Sequence, residues 1–239
     1  NFSYDFAAGR MTAILGHTGA GKSTLLRLIL GLIDPQQGRA LIYNSEREQP
    51  LSSRTRCNLG YVPQGNSLMS GTIRSNLLLG NPSATDEQMC KALHTAVADF
   101  VFDLPLGLDT PCSESGMGLS EGQAQRIAIA RALLRDRSVM LMDEPTAHLD
   151  YGNQIKVLKT VRGLKEEGYG VILTTHNPDH ALLLQDKVAI LDRSGVLSTG
   201  LSTDVLKEQN LSELYGTELK LFYEERLGRE VCAAPQFMI

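Results

Sequence analysis

A chain of 239 residues, 42% hydrophobic and 21% charged, can bury a full core and suits one α/β domain with an attached subdomain. Its net charge of −4 argues against non-specific nucleic-acid binding, which draws on a basic surface. No run approaches the roughly 18 apolar residues of a membrane helix, no signal peptide is visible, and Cys57, Cys90, Cys112 and Cys232 show no metal-ligand or C-x-x-C spacing, reading instead as free thiols of a reducing cytoplasm.

In chain order, Phe2, Tyr4 and Phe6 alternate with polar neighbours and read as a strand. The chain opens inside that strand, at Asn1, so the natural sequence is expected to continue upstream. Residues 11–15 read as a short buried strand, and residues 25–30 as the first turns of a buried helix. Between them Gly16, His17, Thr18, Gly19, Ala20, Gly21, Lys22, Ser23 and Thr24 fit the phosphate-loop pattern G-x-x-x-x-G-K-[ST]. After the turn Asp34-Pro35-Gln36-Gln37-Gly38, residues 39–43 and 59–62 read as further strands.

From residue 71 to about 104 the character becomes helical. Thr85 and Gln88 have capping-box spacing, with Met89, Leu93, Ala96 and Val97 on the apolar face that follows. This block is the candidate inserted helical subdomain. Past Gly116-Met117-Gly118, the run Leu119-Ser120-Glu121-Gly122-Gln123 opens a helix expected to reach residue 135. Residues 138–142 form a continuous apolar strand of the kind covered on both faces.

A helix over 150–167, a strand over 170–175, a helix over 179–184 and a strand over 187–192 complete the alternation. The last strand turns through Arg193-Ser194-Gly195 into Val196-Leu197, and short helices with a polar tail follow. Alternating strands and helices imply an α/β fold with a mainly parallel sheet.

The chemistry concentrates at strand ends. Glycines let the backbone of the 16–24 loop curl around a phosphate chain, and its N–H groups with the helix N-terminus favour an anion. Lys22 would reach the terminal phosphates and the Ser23 hydroxyl would ligate Mg²⁺. Asp143 and Glu144 end the 138–142 strand; the first can hold Mg²⁺ and the second can polarise a water for attack on the γ-phosphorus. Ser120 can cap its helix, whose free N–H groups make a second anion-binding end. His176 could donate to a γ-phosphate, though a lone strand-end histidine is more often a surface residue; the Gln64 amide could ligate Mg²⁺ or its water, and alone it signifies nothing.

Together and in order, these residues resemble the nucleotide-binding domain of ABC transporters. The carrying motifs are Gly16 to Thr24, the Q-loop Gln64, the signature Leu119 to Gln123, Met140-Leu-Met-Asp-Glu-Pro145, the D-loop Ala147-His-Leu-Asp150 and the switch His176. The resemblance implies a P-loop NTPase core, RecA-like over 1–65 and 138–239, with a helical subdomain over 66–137 carrying the signature. It implies ATP and Mg²⁺ as cofactors and catalytic roles for Lys22, Glu144 and His176. The phosphate-loop residues with Gln64, Ser120, Gly122, Gln123 and Asp150 would contact nucleotide; Ser23, Gln64 and Asp143 would serve the metal. In that family two domains pack head-to-tail around two ATP molecules, so the signature would act on the partner's nucleotide. Expected partners are a second such domain, identical or not, and membrane-embedded permease domains at the cytoplasmic face; no nucleic acid is expected.

Two departures stand out. Glu121 occupies the signature position usually held by glycine, where its carboxylate would repel a triphosphate unless it points outward. The adenine-stacking aromatic lies further upstream in the family than the 15 residues preceding Gly16 allow, and Tyr4, as a strand residue, is a poor substitute. Subfamily signals are mixed. Gly71-Thr-Ile-Arg-Ser-Asn76, residues 104–110 and Glu114 look like exporter-type domains fused to membrane helices. Residues 143–150 and Thr175-His-Asn-Pro-Asp-His-Ala181 are similar to iron-siderophore or cobalamin importers, the changeover falling at 138–145. Soluble ABC-class ATPases of DNA repair or translation are the rival class, but the long coiled-coil insertion and the tandem duplication that mark them are missing. A non-catalytic module of the same fold is the other, disfavoured by the presence of Lys22, Glu144 and His176.

Overall fold

Short apolar runs that are too hydrophobic to face water on either side assemble here into one covered sheet. The computed structural model describes residues 3–112, 118–192, 194–195 and 197–235. In chain order the elements are β1 (Met11–Leu15), α1 (Lys22–Ile29), β2 (Leu41–Tyr43), β3 (Glu48–Pro50), β4 (Leu59–Val62), β5 (Gly71–Thr72), α2 (Ile73–Leu78) and α3 (Asp86–Thr95). Then come β6 (Pro111–Cys112), α4 (Glu121–Leu133), β7 (Val139–Met142), α5 (Tyr151–Glu166), β8 (Gly170–Thr175) and α6 (Pro178–Leu184). The chain closes with β9 (Lys187–Leu191), β10 (Leu197–Leu201), α7 (Ser202–Val205), α8 (Glu208–Tyr215), β11 (Lys220–Glu224) and β12 (Arg229–Ala233).

The main sheet runs β10-β9-β1-β8-β7-β4, parallel except for β10. Side chains of successive strand residues leave opposite faces, and the core divides accordingly. Ala13, Leu15, Met140, Met142, Val171 and Leu173 pack toward one face with residues of α4, α5 and α6. Ile14, Leu141 and Ile172 pack toward the other with Leu25, Leu26 and Ile29 of α1. Both faces are filled, which is why no polar alternation marks these strands.

Register positions the site. Leu15 pairs with Thr175, Leu173 with Met142, and Met142 with Val62. The C-terminal ends of β1, β8, β7 and β4 therefore lie at one edge, and the residues that follow them emerge side by side. In open parallel sheets this is the edge where ligands bind.

The structure corrects several expectations. Residues 3–7 form no strand; Tyr4 instead meets Phe6 edge-to-face at 4.7 Å between ring centroids, and Phe2 lies outside the described residues. The 39–43 strand shrinks to β2, hairpinned with β3. Thr85 and Gln88 do form a capping box, and Met89, Leu93 and Ala96 are buried, but Val97 leaves the helix at φ 53°. The tail is not merely polar: β11 and β12 pair as an antiparallel hairpin that Arg229 ties to Asp179 of α6. Glu114, Gly116, Met117, Arg193 and Val196 lie outside the described residues. Among the described residues no helix is long and apolar enough to cross a membrane.

Candidate active site

The chain leaves β1 through a loop whose glycines have separate reasons to be there. At Gly16 a Cβ would stand 2.7 Å from the Leu191 carbonyl oxygen, a backbone contact that cannot yield. Gly21 caps α1 at φ 99°, in the left-handed region, and no side chain occupies the helix's free N–H groups. Those N–H groups, the positive end of the helix and the Lys22 ammonium form a donor set suited to a phosphate chain. Lys22 is 5% exposed; it donates to Gly16 O at 2.8 Å and His17 O at 3.1 Å. Its ammonium also lies 2.9 Å from Glu144 Oε1.

Across the sheet edge, Asp143 and Glu144 follow β7. Asp143 donates its N–H to Val62 O, extending the β4–β7 ladder. Its Oδ1 accepts the Ser23 hydroxyl at 3.1 Å and the Thr174 hydroxyl at 2.8 Å. Thr174 Oγ1 in turn accepts the Glu144 N–H at 2.8 Å. One buried threonine on β8 thus fixes both acidic residues. Glu144 sits at φ 42°, an uncommon conformation for a residue with a Cβ. The turn it makes brings its carboxylate back between Lys22 and His176.

His176, leaving β8, donates from Nδ1 to Glu144 Oε2 at 3.0 Å. Burial pushes the Glu144 carboxyl up; hydrogen bonds and charge from Lys22, and then His176, outweigh it and leave the pKa lowered. Glu144 is therefore an anion held between two nitrogen donors. Ser23 and Asp143 present neighbouring hydroxyl and carboxylate oxygens, the hard donors that Mg²⁺ takes.

A cleft of about 580 Å³ opens over these groups, lined by Thr18, Gly19, Gly21, Lys22, Ser23, Thr24, Gln64, Glu144, Ala147, His148 and His176. Gly16, His17 and Ala20 belong to the same loop without lining it. Ser120, Gly122, Gln123 and Asp150 are elsewhere. Ser120 and Gln123 close a reciprocal capping box at the start of α4. Gly122 abuts Asn153, whose side chain donates to Asp150 Oδ2 at 2.6 Å. Asp150 caps α5, so the Ser120 helix end and the start of α5 are joined through Asn153. Glu121 is exposed and does not line the cleft.

Thr174 and Tyr215 went unassigned in the sequence reading. Thr174 is fully buried in an apolar strand, where a threonine reads as an ordinary β-former; only the pair Thr174-Thr175 directly before His176 hinted at more. Tyr215, whose O–H donates to the His176 carbonyl at 2.6 Å, carried no signal.

A parallel sheet with a phosphate loop after β1 and an acidic pair at the end of β7, with β8 between them, defines the P-loop nucleotide-binding class. A family model described as ABC transporter matches residues 1–147, and the chain belongs to that family. It is 37% identical over 239 residues to the mitochondrial iron-sulfur clusters transporter ATM1 of Kluyveromyces lactis, covering 97% of this chain and 33% of that protein. Its fold matches a bacterial Atm1-family ABC exporter with ATP bound at a TM-score of 0.75 and 34% identity, over 88% of this chain and 37% of the other. It also matches a metal-chelate type ABC transporter in an inward-facing conformation at a TM-score of 0.77 and 25% identity, over 98% and 91%. The chain spans about a third of the length of the curated relatives it matches. It is the ATP-binding domain of an ABC transporter.

Proposed function

We propose that this chain binds Mg²⁺–ATP in the cleft over Lys22, hydrolyses it, and uses the cycle to drive transport by permease domains. The observation that carries the reading is the Lys22–Glu144–His176 chain of contacts at 2.9 and 3.0 Å, set beside the Ser23–Asp143 pair. Lys22 and the loop N–H groups grip the phosphates. Glu144 takes a proton from the attacking water, and His176 orients that carboxylate and reaches the γ-phosphate. Ser23, Asp143 and Gln64 would hold Mg²⁺, which supplies charge neutralisation on the phosphate oxygens.

Ser120, Gly122, Gln123 and Asp150 act on the nucleotide of a second domain in a head-to-tail dimer. Their position outside this chain's own cleft supports a role across an interface, with residues 66–137 as the helical subdomain that presents them and 1–65 with 138–239 as the core. Similarity to proteins named as exporters supports transport as the output, at the cytoplasmic face of a membrane. The test is phosphate release by the full chain with ATP and Mg²⁺. Release should require the metal and fall to background in Lys22→Ala; turnover indifferent to that substitution overturns the assignment.

A further inference from the structure

Among the described residues the His176 ring makes one side-chain hydrogen bond, to Glu144, and it is 55% exposed. An exposed imidazole cannot be held by packing, so its aim must come from the backbone beneath it. That backbone is fixed from an unexpected quarter, the C-terminal helix and hairpin.

Tyr215 is the last residue of α8, and its O–H donates to the His176 carbonyl at 2.6 Å. The helix is itself tethered. Glu208 Oε1 accepts the Leu221 N–H at 2.8 Å and Ser212 Oγ accepts the Leu219 N–H at 3.0 Å. The left-handed Gly216 turns the chain from α8 toward the hairpin. The hairpin then returns to the segment that follows His176. Arg229 spans both oxygens of Asp179 at 3.2 Å, and the Cys232 N–H joins the same carboxylate at 3.2 Å. Asp179 lies in the first turn of α6, three residues after His176. Burial, with the nearby Cys232 and Glu144, pushes the phenol pKa up, so the group remains an O–H donor across ordinary pH.

We propose that Tyr215 is a positioning residue for the ATPase reaction, holding the His176 backbone so that Nδ1 meets Glu144. This rests on the role given to His176 above. Side-chain atoms of Tyr215 other than the hydroxyl are not needed for it, which makes Tyr215→Phe the right variant: the ring stays and one donor goes.

The experiment is a double-mutant cycle in the full chain, with ATP turnover, nucleotide affinity and the His176 ring NMR signals measured for wild type, Tyr215→Phe, His176→Ala and both together. Tyr215→Phe should lower kcat about 3–10-fold, the worth of one hydrogen bond, with KM for ATP within about twofold. In the His176→Ala background the same change should cost nothing further. The His176 imidazole signals should shift in Tyr215→Phe toward those of a ring without its carboxylate partner. Unshifted His176 signals, or a Tyr215→Phe penalty that persists undiminished without His176, overturn the proposal. Wild-type turnover by His176→Ala alongside shifted signals in Tyr215→Phe overturns instead the catalytic role of His176 and leaves its positioning by Tyr215 intact.

Discussion

The Lys22 ammonium and the Glu144 carboxylate pair at 2.9 Å across the mouth of the phosphate loop, and the second oxygen of Glu144 holds His176 at 3.0 Å. Glu144 and His176 follow β7 and β8 and Lys22 opens the helix beyond the loop after β1, so the common register of β1, β7 and β8 brings the three together.

Glu144→Gln keeps the shape but removes the base, and its amide oxygen can accept from only one of Lys22 and His176, where the carboxylate accepts from both. Turnover should fall by about 10²–10⁴-fold, the ordinary worth of general-base catalysis. ATP binding should survive, because Lys22 is freed from a competing anion rather than lost. Single-turnover phosphate release and equilibrium nucleotide binding separate the two effects. Near-normal hydrolysis by this variant would remove Glu144 from its role.

Lys22→Met should raise the Glu144 pKa. Burial alone pushes that carboxyl up, and Lys22 is the largest influence pulling it down. A lowered pKa in the folded chain contributes stability above the ordinary value of about 4.5 that is lost as pH falls through the folded-state value. Without Lys22 there is less to lose, so the acid side of the stability profile should flatten. Carboxyl ¹³C titration of Glu144 reads the shift directly; an unmoved titration means that the ion pair does not form in solution.

Much of this site was readable because its groups sit where pattern and topology agree. The 16–24 loop has an unmistakable spacing, and Asp143, Glu144 and His176 each end a run apolar enough to be a central strand. Helix α5 was legible to within a residue because Asp150 caps it and its apolar positions repeat. Thr174 was not, since a hydroxyl inside a β-branched strand looks the same whether or not it has partners. The strand expected over residues 2–6 is missing from the described part, 3–6, for a different reason. Alternation describes a face but supplies no ladder, and both edges of β1 are already taken by β8 and β9. The terminal hairpin was hidden by its own polarity: about half of its residues face water, and its anchors are the Arg229 and Cys232 contacts to Asp179 of α6 and the Leu221 contact to Glu208 of α8.

Thr174→Val tests the threonine that the sequence concealed. The substitution preserves volume while stripping the hydroxyl that Asp143 Oδ1 and the Glu144 N–H share. A buried N–H left unsatisfied costs about 1–3 kcal/mol, here at a residue already held at positive φ. Stability should drop by that amount in denaturant unfolding, and turnover should fall about tenfold or more as Glu144 loses its anchor. Unchanged stability would show that neither hydrogen bond persists in solution.

Ser120→Arg addresses the second copy. Ser120 Oγ caps α4 by accepting the Gln123 N–H, and in the proposed dimer that helix end faces the partner's nucleotide. Losing the cap alone costs about 0.5–2 kcal/mol, so Ser120→Ala serves as the control for helix fraying. Arginine should abolish ATP-dependent association in Glu144→Gln, where nucleotide is trapped, while alanine leaves it measurable. Sedimentation that shows equal dimer fractions for both variants would place the interface elsewhere.

His180 supplies the pH dependence. It is 6% exposed and stitches the turn after Glu144 to the segment around His176. Its Nδ1 meets Thr146 Oγ1 at 3.2 Å and Thr175 Oγ1 at 3.3 Å, while Nε2 faces Asn177 Nδ2 at 3.2 Å. Asn177 Oδ1 is already engaged by the Asp179 N–H, so its amide nitrogen is what the ring sees. Nε2 must then accept and Nδ1 carry the single proton; a second proton has no acceptor. Burial first, then the neighbouring His176, pushes the pKa down to about 4 against the pull of Asp179. The unfolded chain takes up this proton near pH 6.5, so stability should decline as pH falls from there to about 4 and level off below, by about 3 kcal/mol at most. His180→Gln, which cannot titrate, should be less stable at pH 7.5 yet lose less between pH 7 and 4.5. Urea unfolding at the two pH values reads the difference, and parallel losses in both proteins would assign the acid sensitivity to another group.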